Sequence, residues 1–309
     1  MFYQAAVRHV DLPIAAGGEA ALAGYVGRFA PSPTGDLHLG SLYTAAASFL
    51  DARAHGGRWL VRMEDVDRAR EVPGAAAGIL RTLDAFGFEW DGTVLKQSDR
   101  SEHYAAAIES LRLRGVTFEC SCSRQDLADE ERYPGYCRDG VRNPGTATAT
   151  RLRVEPETVR FVDRLQGARD QEVASVVGDA ILKRRDGFFS YLLAVVIDDA
   201  AQGVTHVVRG ADLLDDTPRQ IYLQRSLLLP TPQYLHVPVL VEPDGSKLAK
   251  SAHALPADRT APRTQLLKVL RLLQLEPSRA LEGAPVGELW AWAHAHWASI
   301  RLSKRPTLH

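Results

Sequence analysis

The chain has 309 residues, of which 45% are hydrophobic and 24% charged, an ordinary globular composition that can bury a full core in one elaborated domain or two. No stretch approaches the roughly 18 consecutive apolar residues of a membrane helix, and the first residues carry His9, Asp11 and Glu19 where a secretion signal would be basic and then apolar. We therefore expect a cytoplasmic protein without a membrane partner. The net charge of −1 excludes a global field that attracts nucleic acid, so we expect no DNA partner, and any RNA contact must come from local patches.

The first predicted elements are a strand and a helix joined by a turn rich in Pro and Gly. Residues 1–24 are rich in Ala and Gly without a sustained period, which predicts a loosely packed leader. From Tyr25 the stretch YVGRFAPS predicts a strand, and SLYTAAASFLDARAHGG predicts a helix that ends at Gly56 and Gly57. Such a junction places backbone N–H groups and the positive end of the helix dipole at the carboxyl edge of a sheet. The turn therefore predicts a phosphate site.

The alternation of strand and helix continues through the first half of the chain. RWLVRMED is a second apolar run of strand length. Apolar residues at helical spacing predict one helix around Ile79–Phe86 and another around Tyr104–Leu111, the latter with Ser101 as its N-cap and Gly115 as its stop. After a loop-rich middle, the alternation returns in FFSYLLAVVIDDAAQGVTHVVRG and YLHVPVLVEPDG. This order predicts an α/β fold with a parallel sheet and crossover helices.

Two short motifs carry the candidate phosphate chemistry. Neither a Walker A motif nor GxGxxG is present, so the usual P-loop and dinucleotide interpretations fail. The strand–helix turn instead carries HLGS, in which His38 can donate a hydrogen bond to a phosphoryl oxygen, while Gly40 and Ser41 lie against the nucleotide. Much later, EPDGSKLAKS places Lys247 and Lys250 on a loop. Taken alone, each motif is more typical of a capping histidine or of solvated lysines.

Together, HLGS and KLAKS resemble the HIGH and KMSKS signatures of class I aminoacyl-tRNA synthetases. The segments GRFAPSPTGDLHLGSLYTA, RMEDVDRAR and VVRGADLLDDTPRQIYLQ resemble the glutamyl and glutaminyl branch, over about Gly27 to Ser251. The resemblance implies a Rossmann-like parallel sheet and a ligase that forms glutamyl-adenylate from L-glutamate and ATP with Mg²⁺. In that reaction His38 would stabilise the transition state and Lys250 would hold the departing phosphates.

The resemblance also implies a glutamate pocket. Arg28, joined by Arg209, would bind the side-chain carboxylate, for which a planar guanidinium is suited. Glu64 would receive the α-amino group. Alternatives stay open, because Glu64 could be a surface acid in an ion pair and the tyrosine of the pocket could be a core residue. The remaining residues of the implied pocket are Ala30, Ser32 and Tyr191.

The sequence differs from full-length glutamyl-tRNA synthetases in two features, and both resemble a truncated branch of the family. Full-length glutamyl-tRNA synthetases continue into large anticodon-reading domains, whereas about 58 residues follow Ser251, with Trp290, Trp292 and Trp297 expected to pack on the body. In YLLAVVIDD, Val195 stands where discriminating synthetases usually have asparagine. Both features resemble the truncated paralogues that esterify glutamate onto the queuosine base in the anticodon loop of tRNA(Asp). A minimal synthetase that charges the 3′ end of tRNA(Glu) and a non-catalytic RNA-binding paralogue remain as alternatives.

The cysteines indicate a metal site. Cys120, Cys122 and Cys137 lie within eighteen residues, and an odd cluster in a protein expected in the cytosol favours metal binding over a disulfide framework. Thiolates suit zinc, which needs a fourth ligand for a closed tetrahedral site. The resemblance implies a CxC and YxxxC pattern that matches Tyr133 and Cys137, with Tyr136 as a nearby competitor. The alternative is two buried cysteines and one exposed.

The resemblance implies five regions along the chain. They are a leader over 1–24, the first half of the nucleotide-binding catalytic domain over 25–119, a zinc-binding, acceptor-like insertion over 120–175, the second half of the catalytic domain with the KLAKS loop over 176–255, and a helical C-terminal tail over 256–309.

Overall fold

The computed structural model describes residues 24–241, 256–298, 302–304 and 307–308. The expected leader, apart from Gly24, and the loop that carries Lys247 and Lys250 lie outside the described residues. Among the helices that it does describe, none is long and apolar enough to cross a membrane.

The described elements follow the predicted alternation of strand and helix in the first half of the chain. In chain order they are β1 Val26–Phe29, α1 Leu39–Ala54, β2 Arg58–Met63, α2 Ala75–Ala85, β3 Leu95–Lys96, α3 Ser101–Leu113, β4 Thr117–Cys120, β5 Ala149–Leu152, β6 Thr158–Asp163, β7 Gly167–Glu172, α4 Val173–Val176, β8 Ile181–Lys183, α5 Tyr191–Ala201, β9 His206–Gly210, α6 Thr217–Ser226, β10 Gln233–Val237, β11 Val239–Leu240, α7 Pro262–Leu272, α8 Val286–His296 and β12 Thr307–Leu308.

Two largely parallel sheets meet along the middle of the molecule. One has the order β1–β2–β3 and is parallel throughout. The other has the order β7–β6–β10–β9, with β10 parallel to both neighbours and β7 antiparallel to β6. They join where the backbone N–H of Thr205 donates to the Val26 carbonyl at 3.0 Å, while the N–H of Val26 donates to Thr205 Oγ1 at 2.8 Å. The carboxyl ends of β1 and β9 therefore open on the same edge.

Apolar side chains cover both faces of the first sheet. Along β2, Trp59 and Val61 enter the core that lies under α1, α7 and α8, whereas Leu60 enters the core that contains residues of α3, α5 and α6. Successive residues of a strand point to opposite faces, so a strand that is buried on both sides reads as a nearly continuous apolar run. Val195 of α5 lies in the second of these cores.

The tryptophans of the C-terminal segment pack on the body, as expected. Trp290 is buried, and its Nε1 donates to the carbonyl oxygen of Phe86 at 2.8 Å. Trp297 Nε1 donates to Asp51 Oδ1 of α1 at 3.2 Å, and Trp292 packs at the edge of the same core. These aromatic side chains therefore pack α8 and the residue after it against the core that contains α1.

One helix boundary differs from its prediction by a residue. Ser101 is the first residue of α3, and Arg100 occupies the N-cap position, so the predicted Ser101 cap is wrong. A short 3₁₀ turn over Gln97–Asp99 leads directly into the helix, and the Arg100 side chain reaches across to Asp198 of α5. Gly115 ends the helix as predicted, with a φ of 71° that glycine adopts without strain.

Candidate active site and metal centre

The turn between β1 and α1 places His38 at the N-terminus of α1. His38 is the N-cap, and its Nδ1 accepts a hydrogen bond from the backbone N–H of Ser41 at 3.3 Å. Because Nδ1 accepts, the proton of the neutral ring is assigned to Nε2, which lies 3.2 Å from Ser41 Oγ. Burial lowers the pKa of His38, which keeps the ring neutral. A Cβ at Gly40 would lie 3.1 Å from the ring, so glycine leaves room for it.

Two adjoining cavities open beside this turn. The larger, of about 660 Å³, is lined by His38, Gly40 and Ser41, by Gly210 at the end of β9 and by Asp212 just after it. A helix N-terminus at such a wall suits a phosphate, because the helix dipole is positive there. The predicted ATP residues that the structure describes therefore share one wall, whereas Lys247 and Lys250 lie outside the described residues.

The second cavity, of about 470 Å³, contains three of the residues predicted to bind glutamate. Ser32, Glu64 and Tyr191 line it, and Ser32, Thr34 and Arg70 belong to both cavities. Ala30 follows β1 directly, between Arg28 and Ser32. The two groups of predicted residues thus meet across a common wall.

Four buried charged residues form a network at the second cavity, which Glu64 lines. Arg28 Nε donates to Asp199 Oδ1 at 3.2 Å, and Arg62 Nη1 donates to the same oxygen at 2.7 Å. Arg62 Nη2 donates to Glu64 Oε1 at 3.1 Å. Burial raises the pKa of Glu64 although both arginines oppose it, whereas the same two arginines outweigh burial and lower the pKa of Asp199. Glu64 is in an ion pair, but a buried one at the cavity wall.

Tyr191 and Arg209 approach the same cluster from α5 and β9. Burial raises the pKa of Tyr191, the charge of Glu64 raises it further, and the charges of Arg209 and Arg28 lower it. Arg209 is buried, with Nε donating to His236 Nε2 at 3.0 Å and Nη2 donating to Thr217 Oγ1 at 2.9 Å. The structure therefore gathers Arg28, Glu64, Tyr191 and Arg209 around one centre.

The three cysteines form a buried cluster, which contradicts the alternative with one exposed cysteine. Their sulfur atoms lie within 4.8 Å of one another. Tyr133 is buried and its Oη lies 3.4 Å from Cys120 Sγ, whereas Tyr136 is exposed and donates to Glu130 at 2.6 Å. Tyr133, and not Tyr136, therefore faces the sulfur atoms.

Two distances between these donor atoms match those around a tetrahedral zinc ion. With Zn–S bonds of about 2.3 Å and a Zn–O bond of about 2.0 Å, two sulfurs would be about 3.8 Å apart and a sulfur and an oxygen about 3.5 Å apart. Cys122 Sγ and Cys137 Sγ are 3.7 Å apart, and the Cys120–Tyr133 distance is 3.4 Å. Although burial opposes it, hydrogen bonds from the backbone N–H groups of Arg142 and Ser121 lower the pKa of Cys137 to about 6.

Two sequence comparisons give the family. Residues 25–283 match the family model described as "tRNA synthetases class I (E and Q), catalytic domain". The chain is 53% identical to the glutamyl-Q tRNA(Asp) synthetase of Ectopseudomonas mendocina (strain ymp) over 287 residues, which are 92% of this chain and 97% of that protein. It is 54% identical, with the same coverage, to the protein of that name from Pseudomonas aeruginosa (strain LESB58). The chain belongs to the glutamyl-Q tRNA(Asp) synthetase family.

Solved structures of larger synthetases share the fold of this family member. Glutamate-tRNA synthetase from Elizabethkingia anophelis matches with a TM-score of 0.74 at 22% identity, over 91% of this chain and 67% of that chain. A glutamate tRNA ligase from Elizabethkingia meningosepticum CCUG26117, in complex with its amino acid, matches with a TM-score of 0.73 at 22% identity, over 91% and 66%. The predicted class I synthetase fold is therefore confirmed.

Sequence reasoning missed Arg62 and the acids and histidine that bond, directly or through one another, to the arginines of the site. They are polar residues inside apolar runs: Arg62 in RWLVRM, Asp199 after AVVI, His236 in YLHV and Asp163 at the end of β6. Such residues are rarely buried without a partner. The position of an ionisable side chain inside an apolar run indicates that it is buried and paired. The sequence did not show which partner each of these four side chains would contact.

Proposed function

We propose that the protein activates L-glutamate with ATP and transfers the glutamyl group to the queuosine base in the anticodon loop of tRNA(Asp). The observation that carries this proposal is the common wall of the two cavities. One cavity has the histidine and the helix N-terminus that suit a nucleotide, and the other has the side chains that suit an amino acid. The relatives are named glutamyl-Q tRNA(Asp) synthetase, and this name supports glutamate and tRNA(Asp) as the substrates.

The amino acid would be held by complementary charges in the smaller cavity. Arg28 and Arg209 would bind the side-chain carboxylate, since both are buried and a guanidinium can hold a carboxylate through two N–H donors. Glu64 would accept from the α-amino group at the cavity wall, and Tyr191 would close the site. Ala30 and Ser32 would border the substrate beyond β1.

Activation would take place where the cavities meet. The α-carboxylate of glutamate attacks the α-phosphorus of ATP, the bond to the leaving pyrophosphate breaks, and glutamyl-adenylate forms. His38 would donate its Nε2 proton in a hydrogen bond to the phosphoryl oxygen whose charge grows in the transition state, and the backbone N–H of Gly40 would add a donor. The backbone N–H of Ser41, which donates to His38 Nδ1, would hold the ring in place. Mg²⁺ bound with ATP would offset phosphate charge. Lys247 and Lys250 would hold the departing phosphates.

Zinc would be a structural ion. The donor set of Cys120, Cys122, Tyr133 and Cys137 fits it in atom type and spacing. The ion would join the end of β4 to the segment that follows it, where few apolar residues are available to build a core. Domain boundaries at about residues 120 and 175, as predicted, would frame this insertion.

Transfer would complete the reaction. A hydroxyl of the queuosine cyclopentene ring attacks the activated carbonyl and gives up its proton to water, and AMP leaves with the electron pair of the broken bond. The anticodon arm would then have to enter the cleft beside the smaller cavity. Local cationic groups such as Arg70, which lines both cavities, would contact its phosphates.

Two assays test the proposal. ATP–pyrophosphate exchange should require glutamate and proceed without tRNA. An isolated anticodon arm of tRNA(Asp) that carries queuosine should then accept radiolabelled glutamate, while the matched arm with guanosine should not, because it has no cyclopentene hydroxyl. Label at the 3′ end of tRNA(Glu) would identify a minimal synthetase, and glutamate-independent exchange would refute the amino-acid assignment.

A further inference from the structure

Arg209 is held along one edge of its guanidinium group. Its Nε donates to His236 Nε2 and its Nη2 donates to Thr217 Oγ1 and, at 3.3 Å, to the Leu213 carbonyl oxygen. Its Nη1 is buried and has no hydrogen-bond partner among the described residues. A buried guanidinium nitrogen without an acceptor is costly, and an incoming carboxylate would satisfy it. Nη1 is therefore the end of Arg209 that is available to an incoming carboxylate.

His236 is itself fixed by Asp163. The His236 side chain is 0% exposed, and its Nδ1 lies 2.6 Å from Asp163 Oδ2. Asp163 Oδ1 also accepts from the backbone N–H groups of Leu165 and Gln166, and these donors favour the ionised carboxylate. His236 Nδ1 therefore carries the proton, and the lone pair of Nε2 faces Arg209.

Arg28 and Arg209 are held in opposite electrostatic ways. The Nε edge of Arg28 lies against the carboxylate of Asp199, which offsets its charge. The Nε edge of Arg209 lies against a neutral imidazole, which fixes the orientation but leaves the charge uncompensated at that contact. A carboxylate in the place of His236 would compete with an anionic substrate for the same guanidinium.

We propose that Asp163 and His236 are positioning residues that hold Arg209 by its Nε edge and present Nη1 to the carboxylate of the substrate. Asp163, His236 and Arg209 lie on β6, β10 and β9, which are neighbours in one sheet. Backbone hydrogen bonds between these strands therefore set the spacing of the three residues, which we call the array. The role rests on the proposed function of Arg209 in glutamate binding. Asp163 and His236 should therefore affect the affinity for glutamate but not the affinity for ATP.

The first test measures His236→Leu in ATP–pyrophosphate exchange. Losing a hydrogen bond to a charged group costs about 1.5–3 kcal/mol, so KM for glutamate should rise roughly 10- to 100-fold while KM for ATP changes less than about 2-fold. His236→Gln, which keeps an acceptor for Arg209, should recover most of the loss. His206→Leu is the matched control, because His206 begins β9, the strand of Arg209, but stacks on Tyr25 at 3.9 Å, away from the site.

A double-mutant cycle separates positioning from general loss of structure. In an Arg209→Lys background, His236→Leu should raise KM for glutamate by less than about 2-fold further, because the group that it positions is gone. Equal rises in the KM of glutamate and of ATP, an unchanged KM for glutamate, or full additivity would overturn the inference.

A measurement without activity distinguishes this inference from the proposed function. In ¹⁵N-labelled protein, the Arg209 Nε–H signal should be protected from exchange, and His236 should show the neutral tautomer with its proton on Nδ1. The protection should disappear in His236→Leu and persist in His206→Leu. An unprotected Arg209 Nε–H in the parent protein would refute the array, whereas an intact array without glutamate-dependent exchange would refute the proposed function alone.

Discussion

Replacing Asp199 by asparagine should weaken both folding and glutamate binding. Asp199 accepts from Arg28 Nε and Arg62 Nη1, and both arginines are almost fully buried. Losing the charge of Asp199 leaves Arg28 without this carboxylate, while Arg62 keeps its ion pair with Glu64 and the nearby charge of Asp198. Breaking a buried ion pair costs about 3–5 kcal/mol. Because Glu64 remains, we expect a loss near the lower end, about 3 kcal/mol, in the free energy of unfolding.

The neighbouring residue provides a matched control. Asp198 is also buried but accepts from Gln97, Arg100 and Tyr104, away from Arg28. Urea unfolding should show that both Asp198→Asn and Asp199→Asn destabilise the protein. In ATP–pyrophosphate exchange, only Asp199→Asn should raise KM for glutamate, by roughly 10-fold or more. Equal effects of the two variants on this KM would refute the reasoning.

Three further predictions follow from the same structure. Purified protein should carry about one equivalent of zinc by elemental analysis, and the Cys122→Ser variant should lose this zinc. Tyr133→Phe should lower the affinity for zinc if the phenolate is a ligand. Parent protein that contains no zinc would contradict the site. Arg28→Leu should weaken glutamate activation by about 3 kcal/mol or more and leave KM for ATP unchanged; unaltered glutamate kinetics would contradict its role. Burial, with the charge of Arg164, lowers the pKa of His206 from 6.5 to about 4. Between these values the unfolded chain binds a proton that the folded one does not, so stability falls as pH drops from 7 to 5, and His206→Leu should flatten this slope in urea titrations; an unchanged slope would contradict it.

Periodicity and turn residues were sufficient to predict the elements around the site. The predicted strand from Tyr25 is observed as β1, RWLVRMED contains β2, and α1 ends just before Gly56. These features depend on neighbours in the chain, through alternation, helical spacing and the conformational freedom of glycine. The predicted Ser101 cap was wrong because the helix begins at Ser101 itself, after Arg100, whose side chain donates to the distant Asp198.

The sequence by itself determined which chemical groups this protein has and in what order: a histidine at a strand–helix turn, arginines at strand ends, and a CxC with a following tyrosine and cysteine. Only the tertiary structure decided which of them meet. Tyr133 was chosen over Tyr136 by burial, and Asp199 and His236 were assigned to their arginines by contacts between elements far apart in the chain. The reason is physical, because a buried charge is satisfied by whatever partner the packed sheet brings within hydrogen-bond distance, and no local pattern records that partner.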